Sequence, residues 1–211
     1  MKNKIVNYSL VAASVLAVVY FSLNIENLQE YQFRTKTSAF NATEYANQFW
    51  TESLPASIAD APDASLLMTQ LNQNPEQAFQ RYGKKLGISK TAYFGIKGNG
   101  IISSVQEEYI AVVCNRDTIK IATEFIFGNA VRDGSGQVDI DQFVNMTDFN
   151  NVSVAINKLV KEKVITRLKQ SAATGKQIDF AGFAELREDE NIPEALSIVP
   201  VKAIISDGKT E

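Results

Sequence analysis

No histidine occurs anywhere in the chain. Its absence removes the usual general base near neutral pH, the commonest metal ligand, and every Ser-His-Asp or Cys-His arrangement. What chemistry remains is that of carboxylates, hydroxyls and lysines. Cysteine is nearly absent as well, so the lone Cys114 can form neither an internal disulfide nor a multi-thiolate metal site. It sits in the apolar run Tyr109-Ile110-Ala111-Val112-Val113-Cys114 and reads as a quiet core thiol on a buried strand. Basic surplus is missing too. Lys2 and Lys4 precede the first apolar run, so of 21 basic and 24 acidic residues 19 and 24 follow it, a net of −5. No basic stripe interleaved with aromatics offsets that total, which argues against a nucleic-acid partner.

What is present begins with 21 uncharged residues from Ile5 to Ile25. A helix of that length rises about 30 Å, the thickness of a bilayer's hydrocarbon core. A cleaved signal peptide ends in a small-x-small site, whereas this run continues as Ser22-Leu23-Asn24-Ile25-Glu26. An uncleaved anchor over residues 1–25 is therefore expected. No cysteine follows the run, which excludes the acylated thiol of a lipoprotein. Lys2 and Lys4 before the helix, with Glu26 and Glu30 after it, favour a single-pass N-in, C-out topology in a bacterial inner membrane.

Residues 26–88 read as a helical segment. Tyr45, Phe49 and Trp50 keep helical spacing, Asn41 or Thr43 supplies a cap, and Pro55 is expected to end that helix. Asp63 and Asn74 are placed to open two further helices, and Gly83 and Gly87 close the region. Residues 89–206 then change character. Tyr93–Val105, Tyr109–Cys114 and Thr118–Phe127 are rich in β-branched and aromatic residues, with Asn115-Arg116-Asp117 as a hairpin turn. Phe149, Val152, Ile156, Leu159, Val160, Val164 and Leu168 follow as one apolar helical stripe, stopped by Gly175. Two more strands, Gln177–Leu186 and Leu196–Ser206, precede a polar tail at 207–211.

Three strands, a helix and two strands give an α+β fold and match the order of a five-stranded antiparallel OB-like barrel, with an open sheet of the same order as the rival. Gly98 and Gly100 would suit the sharp coil of the first barrel strand. Gly98-x-Gly100, Gly128-x-x-x-Arg132-Asp133 and Phe143-x-Asn145-x-x-x-Phe149-x-x-Val152-x-x-x-Ile156-Asn157, preceded by Pro62-Asp63-Ala64 and Tyr82-Gly83, resemble domain-of-unknown-function family 2291, described as predicted periplasmic lipoproteins. The likeness covers roughly residues 55–205. It implies a location outside the inner membrane and a setting beside sugar importers of the ATP-binding cassette type, and it brings no functional residues with it.

Arg132-Asp133 is the leading recognition pair, because a guanidinium fork suits a carboxylate, a phosphate or a sugar diol while the adjacent carboxylate accepts hydroxyl protons. The alternative is an internal ion pair holding a loop in place. Asn145 and Asn157, on either side of Phe149, are candidates for lining a polar pocket, and they also fit as helix-capping and back-bonding residues. Val131–Gln142 imitates a calcium loop with Gly136 and Val138 in register, yet Val131 and Gln142 occupy the positions of the opening Asp and the bidentate Glu. Neither metal nor cofactor is expected there, only a tight turn. Asp133, Asp139 and Asp141 would be the carboxylates of a hydrolase, the outlying reading. The expected function is a non-catalytic accessory or binding module for a sugar-like solute, associated with the membrane and with transporter components. The other class is a structural envelope protein that docks a membrane partner through its N-terminal helices.

Overall fold

The computed structural model describes residues 40–126 and 128–206. The expected anchor at 1–25, residues 26–39 and the tail at 207–211 lie outside the described residues. Among those described, no helix is long and apolar enough to cross a membrane.

Residues from Asn41 onward form one compact unit. The chain enters it through α1 (Ala42–Gln48), a π-helical turn (Phe49–Ser53) and α2 (Leu54–Ala59). The Asn41 side chain caps α1 by accepting from the Glu44 amide. Pro55, expected to stop this helix, instead lies within it. The π turn directly upstream widens the ring of the hydrogen-bond ladder, with the Leu54 amide donating to the Phe49 carbonyl, and the missing proline donor is absorbed at the first turn of α2. Next come α3 (Ala64–Gln73) and α4 (Pro75–Tyr82). Asp63 caps α3 through the Ser65 amide, and Asn74 caps α4 through that of Gln77.

The barrel consists of β1 (Thr91–Val105), β2 (Tyr109–Cys114), β3 (Asp117–Ala122), β4 (Gln177–Arg187) and β5 (Ala195–Ser206), hydrogen-bonded in the closed order β1-β2-β3-β5-β4. It is not wholly antiparallel. β3 and β5 run parallel, in register from Thr118 against Ala195 to Ile121 against Ile198. A ring of five strands cannot alternate direction all the way round, so one pairing must be parallel, and it falls where the chain closes the barrel. β3 also stops at Ala122, short of the expected Phe127. Beyond it the Thr123 and Glu124 amides turn away to the Glu108 carbonyl, and Phe125 takes a positive φ of 53°.

Two cores flank the barrel wall. The interior holds Phe94, Ile96, Ile102, Ile110, Val112, Ile119, Ile121, Ile178, Phe180 and Ile198, plugged by Leu67, Met68 and Leu71 of α3 and by Phe79 of α4. Outside the barrel the helical stripe takes over, packed toward β5. α5 (Ala130–Ser135), α6 (Met146–Val160), a second π-helical turn (Lys161–Ile165) and α7 (Thr166–Ser171) complete the elements, and all seven stripe residues are buried. Each contributes about 1.5–3 kcal/mol of transfer free energy. Burial on both sides makes β4 continuous from Phe180 to Ala184, with no solvent-facing alternation.

Gly100 is where the barrel wall comes closest to itself, since a Cβ there would stand 2.4 Å from the Val113 carbonyl oxygen and 2.8 Å from Val112 Cγ1. Gly98 is roomier, with the tip of Phe180 at 3.1 Å and Ala64 Cβ at 3.4 Å. Both glycines serve packing on β1.

Candidate functional site

The tight turn expected at 131–142 is in fact a short helix and a 3-10 turn. α5 begins at Ala130 and closes on Gly136, which takes the left-handed φ of 64° suited to a helix C-terminus. Gly134 lets α5 settle on β4, because a Cβ there would stand 2.6 Å from the Phe183 ring. The end of α5 is then tied down. The Ser135 carbonyl accepts from the Ser57 hydroxyl at 2.9 Å and the Lys84 ammonium at 2.6 Å, and the Ser135 hydroxyl donates to the Arg132 carbonyl at 2.6 Å.

This anchorage sets the Arg132 side chain, 2% exposed, inside the protein. Its Nε donates to Asp133 Oδ1 at 2.6 Å and its Nη2 to Asp133 Oδ2 at 3.2 Å, a two-pronged pairing. Its Nη1 donates to the Phe149 carbonyl at 3.0 Å, while the guanidinium carbon lies 3.5 Å from the centroid of the Phe149 ring. Phe149 in turn contacts Phe143 at 5.3 Å between centroids, and Phe143 meets Tyr45 of α1 edge-on at 5.4 Å.

Asp133, its side chain 6% exposed, also borders a cleft of about 650 Å³ that it shares with Lys84, Lys85, Gln137, Asp139, Ile140 and Gln142. One wall is the segment after α4, pinned to β1 by two backbone bonds between Lys84 and Tyr93. The other is the 136–142 loop, where Asp139 caps the 3-10 turn (Ile140–Gln142) through the Asp141 amide and Gln142 Oε1 accepts from the Tyr45 hydroxyl at 2.9 Å. Withdrawing the Lys84 ammonium from water pulls its pKa down, an effect that Asp60 partly opposes. Burial pushes the Tyr93 hydroxyl up to about 12, with Glu185 and Asp133 adding to the rise and Arg132 opposing it. The cleft thus offers carboxylate acceptors, amides that both donate and accept, and two ammonium groups, of which Lys84 is tied to the Ser135 carbonyl and Lys85 pairs with Glu188.

Of the sequence-predicted site residues, Arg132, Asp133 and Phe149 come together. Asn145 caps α6, accepting from the Asp148 amide at 2.9 Å. Asn157 donates to the Gly128 carbonyl at 2.9 Å and lines a separate groove with Asn150 and Lys158. Lys84, Gln137 and Gln142 were not legible as cleft residues, because the loops that carry them meet only through the anchorage at Ser135. Among the described residues no group of three or more His, Cys, Asp or Glu could hold a metal ion.

A closed five-stranded barrel with a helix between its third and fourth strands, plugged and clad by further helices, defines an OB-fold protein with a helical N-terminal extension. Within that class the chain belongs to the family described as predicted periplasmic lipoproteins (DUF2291), whose profile matches residues 13–203. It is also similar to a crystal structure of an OB-fold protein from Thermotoga maritima MSB8, at 28% identity and a TM-score of 0.72, over 79% of this chain and 99% of the other. No curated protein matches it. The family description places such chains in the periplasm. This sequence departs from the lipoprotein pattern in that its single cysteine, Cys114, is buried on β2.

Proposed function

We propose that the protein is a non-catalytic periplasmic binding module, anchored through the uncharged stretch Ile5–Ile25 with its C-terminus outside, that takes a polyhydroxylated, sugar-like solute in the cleft beside Asp133 and works with an ATP-binding-cassette sugar importer. The observation that carries this reading is the Arg132–Asp133 pair at the cleft wall, a carboxylate fixed from behind by a buried guanidinium. A carboxylate held in this way needs no reorganisation to accept solute hydroxyl protons. Gln137 and Gln142 add paired donors and acceptors, the complement of a vicinal diol. Arg132 is buried with its guanidinium paired to Asp133 and to the Phe149 carbonyl, which suits holding rather than proton transfer. The docking alternative calls for an apolar patch on the helices of 38–86. Within the described part of that stretch the large exposed apolar side chains are Leu66 on α3 and Leu86 beyond α4, on separate segments, which favours the binding reading.

The test is a thermal-shift and calorimetric screen of the full chain in detergent against pentoses, hexoses and their acids at 10 mM. A solute bound with a Kd of about 1 mM adds about 1.4 kcal/mol, or roughly 3–6 °C in Tm. Gln137→Ala should remove that shift without moving the unliganded Tm. No shift with any member of the panel would count against the cleft, and absence of transporter subunits among proteins co-purified from native membranes would count against the importer.

A further inference from the structure

A second surface carries charge of the opposite sign to the rest of the molecule. Between Lys158 and Lys169, across the end of α6, the second π turn and α7, five basic residues stand against the single acid Glu162. Glu162 pairs with Lys158 and Glu124 with Lys169. Lys163 and Arg167 are exposed and, among the described residues, have no ion-pair partner. They line a cleft of about 370 Å³ with Lys202 of β5, the half-buried Trp50 and Ile204, and no acidic side chain lines it. Lys202 pairs with Asp179 at its margin, and Ile204 is 54% exposed.

We infer that this face rests on an anionic phospholipid surface, with Trp50 and Ile204 at headgroup depth and Lys163 and Arg167 on the lipid phosphates. The combination is that of an interfacial contact. An indole seats its apolar body and its polar N–H at the headgroup level, long cationic side chains lay their stems on apolar ground while the charge reaches phosphate, and neither needs a deep pocket. Position supports it. Trp50 lies about 13 Å along the helix from Asn41, where the folded unit begins, and the sixteen residues 26–41 that separate that point from Ile25 span at most about 55 Å. On the anchoring reading, that length of chain permits this face to reach the bilayer. The inference rests on the anchoring reading above and is independent of what the cleft beside Asp133 binds.

Trp50 is the chain's only tryptophan, so its emission reports this face alone. The full chain is reconstituted in nanodiscs of phosphatidylcholine alone or with 30% phosphatidylglycerol, each with and without lipid brominated high on the acyl chain. Expected is at least twofold stronger quenching of Trp50 in the anionic discs, lost at 0.5 M NaCl where the Debye length falls to about 4 Å. Lys163→Gln/Arg167→Gln should return the anionic-disc signal to the neutral value while the protein still elutes with the discs. Equal quenching in both compositions, or none in either, overturns the proposal. So does an emission change caused by soluble inorganic phosphate at 10 mM in neutral discs, which would mark a site for free anions. Failure of the protein to elute with discs at all sinks the anchoring reading instead.

Discussion

The guanidinium of Arg132 is sandwiched by one residue in two ways, its carbon 3.5 Å from the ring centroid of Phe149 and its Nη1 donating to the Phe149 carbonyl at 3.0 Å. Since Arg132 also grips both oxygens of Asp133, the pair works as an internal strut between α5 and α6 whose acidic end borders the cleft.

Removing the strut should be costly. Arg132→Met leaves the Asp133 carboxylate, 6% exposed, without its partner. Breaking a buried pair in this way costs about 3–5 kcal/mol, a large part of the roughly 5–15 kcal/mol that holds a domain together. Arg132→Met/Asp133→Asn should recover part of the loss, because no uncompensated charge then remains. Urea unfolding of the three proteins decides it, and a single-variant loss below 1 kcal/mol would show that the pair is not a strut.

Gly100 and Gly98 make a matched pair of tests. At Gly100 an added methyl meets the Val113 carbonyl at 2.4 Å, a backbone atom that cannot step aside without opening the β1–β2 ladder. Gly100→Ala should lose about 2–3 kcal/mol. Gly98→Ala meets the tip of Phe180, which can shift by tenths of an ångström, and should lose under 1 kcal/mol. Melting curves of the two variants that coincide would refute this account of barrel closure.

Much of this was legible in the sequence. The seven-residue stripe from Phe149 to Leu168, the caps at Asp63 and Asn74 and the existence and order of the five strands follow from local periodicity and side-chain chemistry, with β3 alone ending well short of its expected bound. What escaped was set by long-range geometry. Pro55 sits inside a helix because a π turn seven residues past the Ala42 start happens to precede it, and no local signal distinguishes that from a stop. The parallel β3–β5 pairing follows from closure of an odd-numbered ring rather than from the residues of either strand. The internal ion pair kept as the alternative for Arg132-Asp133 is what forms, whereas the Phe149 face and carbonyl that complete the guanidinium's surroundings lie seventeen positions away and left no local signal.

Alkaline pH should weaken the fold through two buried acids. Burial raises the Cys114 thiol from 9.0 to about 11, with Asp63 and Asp117 adding to the rise, and raises the Tyr93 hydroxyl from 10.0 to about 12. Both groups are neutral when protonated, so their contribution is fully present below the unfolded-state values and is lost as pH climbs through the folded-state values. Each should lower stability by at most about 1.4 kcal/mol per pH unit, less where solvent screens the charge, for Cys114 between about 9 and 11 and for Tyr93 between about 10 and 12. Urea midpoints at pH 8, 9, 10 and 11 would show the decline, and Cys114→Ala should flatten its lower part. A midpoint independent of pH over that range contradicts the burial of both groups.

Asn145 separates capping from recognition. Its Oδ1 accepts from the Asp148 amide at 2.9 Å and its Nδ2 donates to the Asp148 carboxylate at 2.9 Å, so side chain and first-turn acid close on each other at the start of α6. Both interactions satisfy or complement the unpaired amides of a helix N-terminus, and the acid in the first turn sits favourably in the helix field. Asn74 performs the same task for α4, accepting from the Gln77 amide at 3.1 Å. Asn145→Ala and Asn74→Ala should each lose about 1 kcal/mol, while Asn145→Ser, which keeps a cap acceptor, should lose only a few tenths. Because Asn145 does not line the cleft beside Asp133, neither change should alter the affinity of a solute bound there. If Asn145→Ala left unfolding unchanged and abolished solute binding in calorimetry, the residue would belong to the recognition surface and the cap would be incidental.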